Sequence, residues 1–147
     1  AARDIVRSFG GVEAEMTAQR FRAGCSSCEN MIVCTDDMES RKVVYEAWRA
    51  NERRNAFVDI RMGALSLIVV TTTKKRDNYL DYWQPSSEIT DEPCTMKHTI
   101  FTAQIAAGLG VNQLFAAISG RLFYQKLWFA LQPFMVEKDV LINPLEQ

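Results

Sequence analysis

The chain has 147 residues, of which 48% are hydrophobic, 24% charged and 10% aromatic, with 17 Lys and Arg against 18 Asp and Glu for a net charge of −1. A chain of this size buries roughly 68–70% of its unfolded surface, so one domain with its own core is expected and disorder is excluded. The balanced charge argues against a nucleic-acid surface and a polybasic membrane anchor, and no apolar run is read as approaching the ~18 residues of a bilayer span.

The chain opens Ala1-Ala2-Arg3-Asp4, with neither an initiator Met nor the charged start and apolar run of a signal peptide, so a processed chain or a piece of a longer one is expected. Residues 2–9 are predicted helical, stopped by Gly10-Gly11 as by a C-terminal glycine cap. Residues 12–21 alternate (Val12, Ala14, Met16, Ala18 against Glu13, Glu15, Thr17, Gln19), the period of a half-buried strand. Residues 24–28 are a small-residue turn. Met31-Ile32-Val33-Cys34 is a continuous apolar run, the pattern of a strand covered on both faces, and it predicts a buried Cys34. Thr35-Asp36-Asp37 supplies an N-cap for a helix over 38–51, with Val43, Val44, Ala47 and Trp48 on one face.

Strands are predicted over 57–62 and 65–72, separated by Gly63, and a short helix over 79–83. Residues 85–93 form a polar, proline-bounded loop expected to cross the surface. Over 95–119 the spacing of Ile100, Ala103, Ala107, Val111, Leu114 and Ile118 is helical. Gly108 and Gly110 weaken that helix locally and let something pack close; Gly120 ends it. Two closing strands follow, over 123–134 and 135–142, turned near Pro133. No repeat or low-complexity segment interrupts the order. It predicts a single-domain α/β sheet with helices on both faces, whose opening elements are missing.

Four sets of residues carry candidate chemistry. Cys25-Ser26-Ser27-Cys28 has the spacing of a zinc or redox pair, but zinc takes four ligands and no second pair completes the set, so free turn cysteines and no zinc are expected. Four unevenly spaced cysteines are too few for a secreted disulfide scaffold and fit a reducing cytoplasm. Thr35-Asp36-Asp37 follows a strand and precedes a helix, where a metal or nucleotide meets an open α/β sheet; helix capping accounts for it equally. Cys94 opens the long helix, where the N–H dipoles favour the thiolate; it is a nucleophile or a structural thiol. His98, the single histidine, sits in the first turn of that helix, as a proton shuttle beside Cys94 or an exposed helix residue. The strands after Gly120, with Trp128 and Phe129, carry no motif and are read as sheet-edge packing or an oligomer contact.

Three stretches together resemble the ThiF/MoeB and ubiquitin-activating enzyme superfamily, in order and spacing, over residues 29–120. Ile32-Val33-Cys34-Thr35-Asp36-Asp37-Met38-Glu39-Ser40-Arg41 is similar to a family strand ending in Thr-Asp, with an Arg five residues after the Asp. Ala56-Phe57-Val58-Asp59-Ile60-Arg61-Met62-Gly63 is similar to the family's next strand. Pro93-Cys94-Thr95, with Ala103, Ala106-Ala107, Leu109, Val111 and Gln113-Leu114, resembles the Cys-Thr that opens the long helix.

The resemblance implies a Rossmann-like, ThiF-type sheet and Mg·ATP-dependent adenylation of the C-terminal carboxylate of a ubiquitin-like or sulfur-carrier protein. By position, Asp36 would hold Mg²⁺, Arg41 would sit near the phosphates or Asp36, and Cys94 would accept the acyl group as a thioester. The family's glycine-rich strand-turn-helix, acidic ribose ligand and further basic residues are not matched, nor is its paired C-x-x-C zinc site. The chain therefore resembles the C-terminal portion of an adenylation domain. It would work with the N-terminal part supplied covalently, by another chain or in a homodimer, or serve as a non-catalytic binding module.

Overall fold

The computed structural model describes residues 13, 15, 17–89 and 100–144. The chain forms β1 (Asn30–Val33), α1 (Met38–Ala50), β2 (Ala56–Met62) and β3 (Ser66–Thr73), then two 3-10 turns, Tyr79–Tyr82 and Ser86–Glu88. Helix α2 (Ile100–Ile118) and strands β4 (Phe123–Tyr124), β5 (Lys126–Leu131), β6 (Phe134–Lys138) and β7 (Leu141–Ile142) complete it. A five-stranded mixed sheet runs in the order β1-β2-β3-β5-β6, and β4 pairs with β7 apart from it. Strands β1 and β2 are parallel, joined through α1; every other pairing is antiparallel. The protein is an α/β fold.

The alternation of β2 assigns a helix to each face. Phe57 points into a cluster with Val44, Tyr45 and Trp48 of α1 and with Tyr79. Val58 and Ile60 point the other way, against Ala106 of α2 and against Leu67, Val69 and Leu127. Covered on both sides, β2 is buried continuously from Ala56 to Ile60. The α1 face is held by aromatic edges: Tyr45 and Tyr79 ring centres lie 4.5 Å apart, and Phe57 meets Tyr79 edge-on at 5.1 Å.

Helix α1 begins where Asp37, extended at φ −110°, accepts a hydrogen bond from the Ser40 N–H at 2.6 Å. Helix α2 turns Thr102, Ala106, Gly110, Gln113 and Ala116 to the sheet. Gly110 is the close approach: a Cβ there would run into Cγ1 and Cδ1 of Ile60, whereas Gly108 faces open space. Gly120, at φ +67°, ends the helix, and the Arg121 N–H donates back to the Ala116 carbonyl at 2.9 Å.

Several sequence expectations fail here for physical reasons. Glu13, Glu15 and residues 17–21 have no regular structure, and Glu13, Glu15 and residues 17–20 are all exposed, so the alternation buries no face; the rest of that predicted strand and the helix over 2–9 lie outside the described residues. Among the described residues, strand β1 is paired on one edge only; Ile32 is 37% exposed and Cys34 is exposed, against the expected burial. The two closing strands break into β4 to β7 because Gln125 leaves the ladder: its N–H donates to the Val140 carbonyl, and its own carbonyl takes the Thr71 N–H. Helix α2 is long and apolar enough, by length and composition, to cross a membrane, contrary to the sequence reading. Here it lies along the sheet, with buried polar groups such as Gln113 on that side.

Candidate functional site

The segment 34–37 leaves the carboxyl end of β1 and enters α1. Asp37 is committed to the cap, and its hydrogen bonds from Ser40 hold its carboxyl below the usual carboxylate range. Asp36 has no such duty. It is exposed and forms part of the wall shared by two clefts. The first, about 340 Å³, lies against α2 and is apolar, lined by Ile32, Cys34, Ile60, Ala103, Ala107 and Val111. The second, about 630 Å³, opens between the end of β2 and the loop after the first 3-10 turn, with Arg61, Ser66, Gln84 and Ser86 on its walls. Beyond the carboxyl ends of parallel strands is where open α/β sheets hold ligands.

Beneath Asp36 lies a buried polar network. Arg41 is only 6% exposed, and both terminal nitrogens of its guanidinium are engaged. It donates to the Thr35 carbonyl, to the Ile60 carbonyl at 2.8 Å and to the Asp59 carboxylate, with which it pairs. Asp59, fully buried, also takes Arg61 Nε at 2.8 Å and the Tyr79 hydroxyl at 2.9 Å. Burial, then the charge of Asp59, pushes the Tyr79 phenol far above its usual range. Arg61 reaches on to the Tyr82 carbonyl at 2.8 Å, and Tyr82 donates to Asp139 at 2.8 Å. Burial and that carboxylate push the Tyr82 phenol up to about 12. Two arginines thus share one buried carboxylate, and the Thr35-Asp36 turn hangs from one of them.

The loop after Trp83 is tied to the same corner. The Met38 N–H donates to Ser86 Oγ at 3.1 Å, the Ser86 N–H and hydroxyl donate to Glu39, and the Trp83 indole N–H donates to the Met38 carbonyl at 2.7 Å. The hydrogen bonds from Ser86 lower the Glu39 pKa. Residues 85–89 therefore wrap the start of α1.

Of the sequence candidates, Asp36 and Arg41 meet at one corner, Arg41 from below and Asp36 at the surface. Cys94 and His98 lie outside the described residues. Cys25 and Cys28 are exposed free thiols on a turn at Gly24 (φ +87°). That turn is pinned to α1 by Ser27, which donates to the Ala47 carbonyl at 3.0 Å, and by Asn51, which donates to the Ser27 carbonyl at 2.9 Å. Cys34 opens onto the first cleft, and burial of its inner side raises its thiol pKa, with Arg41 opposing.

Asp59, Arg61 and Tyr79 are the site-forming residues that sequence reasoning did not single out. Asp59 and Arg61, two apart on a predicted strand, necessarily share a face, and a charge pair inside an otherwise apolar strand was the available signal. The corner can offer Mg²⁺ one carboxylate, Asp36, since Asp37 is occupied as a cap; one carboxylate suffices where substrate phosphates supply the other ligands. Among the described residues, no group of three or more His, Cys, Asp or Glu could hold a metal ion. Compared with protein-family models and with curated proteins, the sequence matches none.

Proposed function

We propose that this chain is a portion of a Rossmann-like, ThiF-type adenylyltransferase, which uses Mg·ATP to activate the C-terminal carboxylate of a ubiquitin-like or sulfur-carrier protein. The observation that carries the reading is the placement of Asp36: an exposed, uncommitted carboxylate at the mouth of two clefts, beyond the carboxyl ends of two parallel strands. Asp36 is the proposed Mg²⁺ ligand. Arg41 is a positioning residue in this reading, because its donors already serve Thr35, Asp59 and Ile60. Cys94 is the proposed acyl acceptor, on the resemblance alone.

The nucleotide's phosphate cradle has to come from elsewhere. The outer edge of β1 carries no strand among the described residues, and beside it α2 exposes Ile100, Val111 and Ile118. A parallel sheet is ordinarily covered on both faces, so this open side suits a further strand and helix carrying the glycine loop. The second reading is a binding module that keeps the fold without ATP chemistry. It is favoured by the engagement of Arg41, whose donors serve Thr35, Asp59 and Ile60; Arg61 beside it keeps one buried nitrogen, Nη2, without a hydrogen-bond partner among the described residues.

The test is ATP–pyrophosphate exchange by the full-length protein in the presence of a ubiquitin-like or sulfur-carrier protein. Exchange that disappears in Asp36→Ala, with the fold intact by circular dichroism, supports the enzyme. Exchange unchanged in that variant reduces Asp36 to a turn residue. No exchange by the wild-type protein, with carrier binding retained, establishes the module.

A further inference from the structure

The opposite edge of the sheet has its own anomaly. Strand β6 is the outermost strand, paired with β5 on one side and with nothing on the other among the described residues. All five of its residues are exposed, and they include Phe134 (72%), Met135 (44%) and Val136 (45%). Edge strands ordinarily discourage pairing through charge, proline, a bulge or very short length. Here three consecutive apolar residues occupy the edge, and the charges, Glu137 and Lys138, come only at its end.

The register with β5 places these side chains. Phe134 and Val136 stand opposite Leu131 and Phe129, on the sheet face that α2 covers further in; Met135 and Glu137 stand opposite Ala130 and Trp128 on the other face. The apolar surface of the sheet therefore continues outward past α2 and ends on an open strand. Every second residue of an edge strand turns its N–H and C=O away from its neighbour, so β6 presents a ladder as well as side chains.

We infer that β6 is the seat of a two-fold contact between two copies of this chain, in which β6 pairs antiparallel with β6 of a second copy and the sheets join into one. The sequence of the strand selects the second copy as occupant. A two-fold axis normal to the sheet keeps each face on its own side, so only registers pairing residues of like parity are allowed. With the axis at Val136, all five residues pair: Val136 meets itself, Met135 meets Glu137, and Phe134 meets Lys138, whose ammonium lies over the Tyr124 ring of its own chain, 5.5 Å from the ring centre. No like charges face each other. Moving the axis to Glu137 sets two carboxylates opposite one another, and moving it to Met135 leaves only residues 134–136 in the ladder. One register is both fully paired and free of charge conflict.

Such a five-residue contact is small, so the dimer is reversible and concentration-dependent. It uses the edge away from Asp36 and β1, and it stands or falls independently of the proposed adenylation.

The test is sedimentation velocity on the full chain, under reducing conditions, over a wide concentration range. The wild-type chain should shift from monomer towards dimer as concentration rises. Val136→Glu, which places two carboxylates on the axis, should lose the dimer with its circular dichroism unchanged; Val111→Glu, on the exposed side of α2, should keep it. A wild-type chain that stays monomeric at the highest concentration overturns the inference. So does a dimer broken by Val111→Glu and not by Val136→Glu, which would place the contact beside β1. Val136→Cys provides a reading that does not depend on loss. Mild oxidation should yield a dimer whose cross-linked peptide, identified by mass spectrometry, joins position 136 to itself. Links only through Cys25, Cys28, Cys34 or Cys94, or no link, would overturn it equally.

Discussion

Arg41 and Asp59 form a buried ion pair that fastens the first turns of α1 to the middle of β2, and through Arg41 the carbonyl of Thr35 is fastened with them. The pair connects fold to site: the turn that presents Asp36 is held from beneath by a charge that itself needs Asp59. Burying two guanidinium groups against one carboxylate is tolerable only while every partner remains, because an ion deprived of its counter-charge cannot recover its hydration inside the protein.

Removal of Asp59 is accordingly the most damaging single change expected at this corner. Asp59→Ala strands both Arg41 and Arg61 and should cost about 3–5 kcal/mol of unfolding free energy in urea titration. Tyr79→Phe deletes one donor to the same carboxylate and should cost about 1.5–3 kcal/mol. If Asp59→Ala proved no worse than Tyr79→Phe, the carboxylate would not be the hub of the network.

The two glycines of α2 should respond in opposite directions. Gly108 faces open space, so Gly108→Ala removes unfolded-state freedom without a clash and should stabilise by up to about 1 kcal/mol. Gly110→Ala drives a methyl against Ile60 and should destabilise by about 1–3 kcal/mol. Thermal melts of the two variants, side by side, decide it. Equal shifts of one sign would mean that α2 does not sit against β2 as described.

How much of this was legible beforehand depends on whether the signal was local. Periodicity and capping are local, so Asp37 at the start of α1, strands β2 and β3, the body of α2 and the stop at Gly120 could be read from the chain. Burial is not local. The run Met31-Ile32-Val33-Cys34 is as apolar as β2, yet it is half-exposed, pairing on one edge only among the described residues, a fact set by the rest of the sheet. Of the candidate site, the placing of Asp36 on the turn after β1 and of Arg41 in the first turn of α1 could be read from the chain. The engagement of Arg41 was hidden because its partner is 18 residues away and appears in sequence as one charge in an apolar strand. The division of the closing strands is hidden for a similar reason: Gln125 looks like an ordinary strand residue until its bonds to Val140 and Thr71 are seen.

The cap at Asp37 gives a pH dependence with a definite sign. Its folded pKa lies below its unfolded value of about 3.9, so its stabilisation is complete above that value and is lost as pH falls through the folded pKa. Asp37→Ala should cost about 1 kcal/mol near neutrality. The difference between wild type and variant should shrink on acidification below about pH 4, followed by denaturant unfolding at successive pH values. A difference that stayed constant to the lowest pH would exclude the carboxylate as the capping group.

Cys34 provides a test of the cleft without any ligand. It is exposed, yet burial of its inner side raises its thiol pKa and Arg41 only partly opposes that. Thiolate is the reacting form, so access alone should not make this residue fast. Brief iodoacetamide treatment near neutral pH, read by mass spectrometry, should label Cys34 more slowly than Cys25 and Cys28, which stand on an exposed turn. Raising the pH should narrow the gap as the Cys34 thiolate fraction grows. In Asp59→Ala, Arg41 is released from its carboxylate and the raising influence of Asp59 on Cys34 is removed, so Cys34 labelling should accelerate even where the fold survives. Labelling of Cys34 as fast as that of Cys25 at neutral pH would contradict the described setting of the thiol beside Arg41.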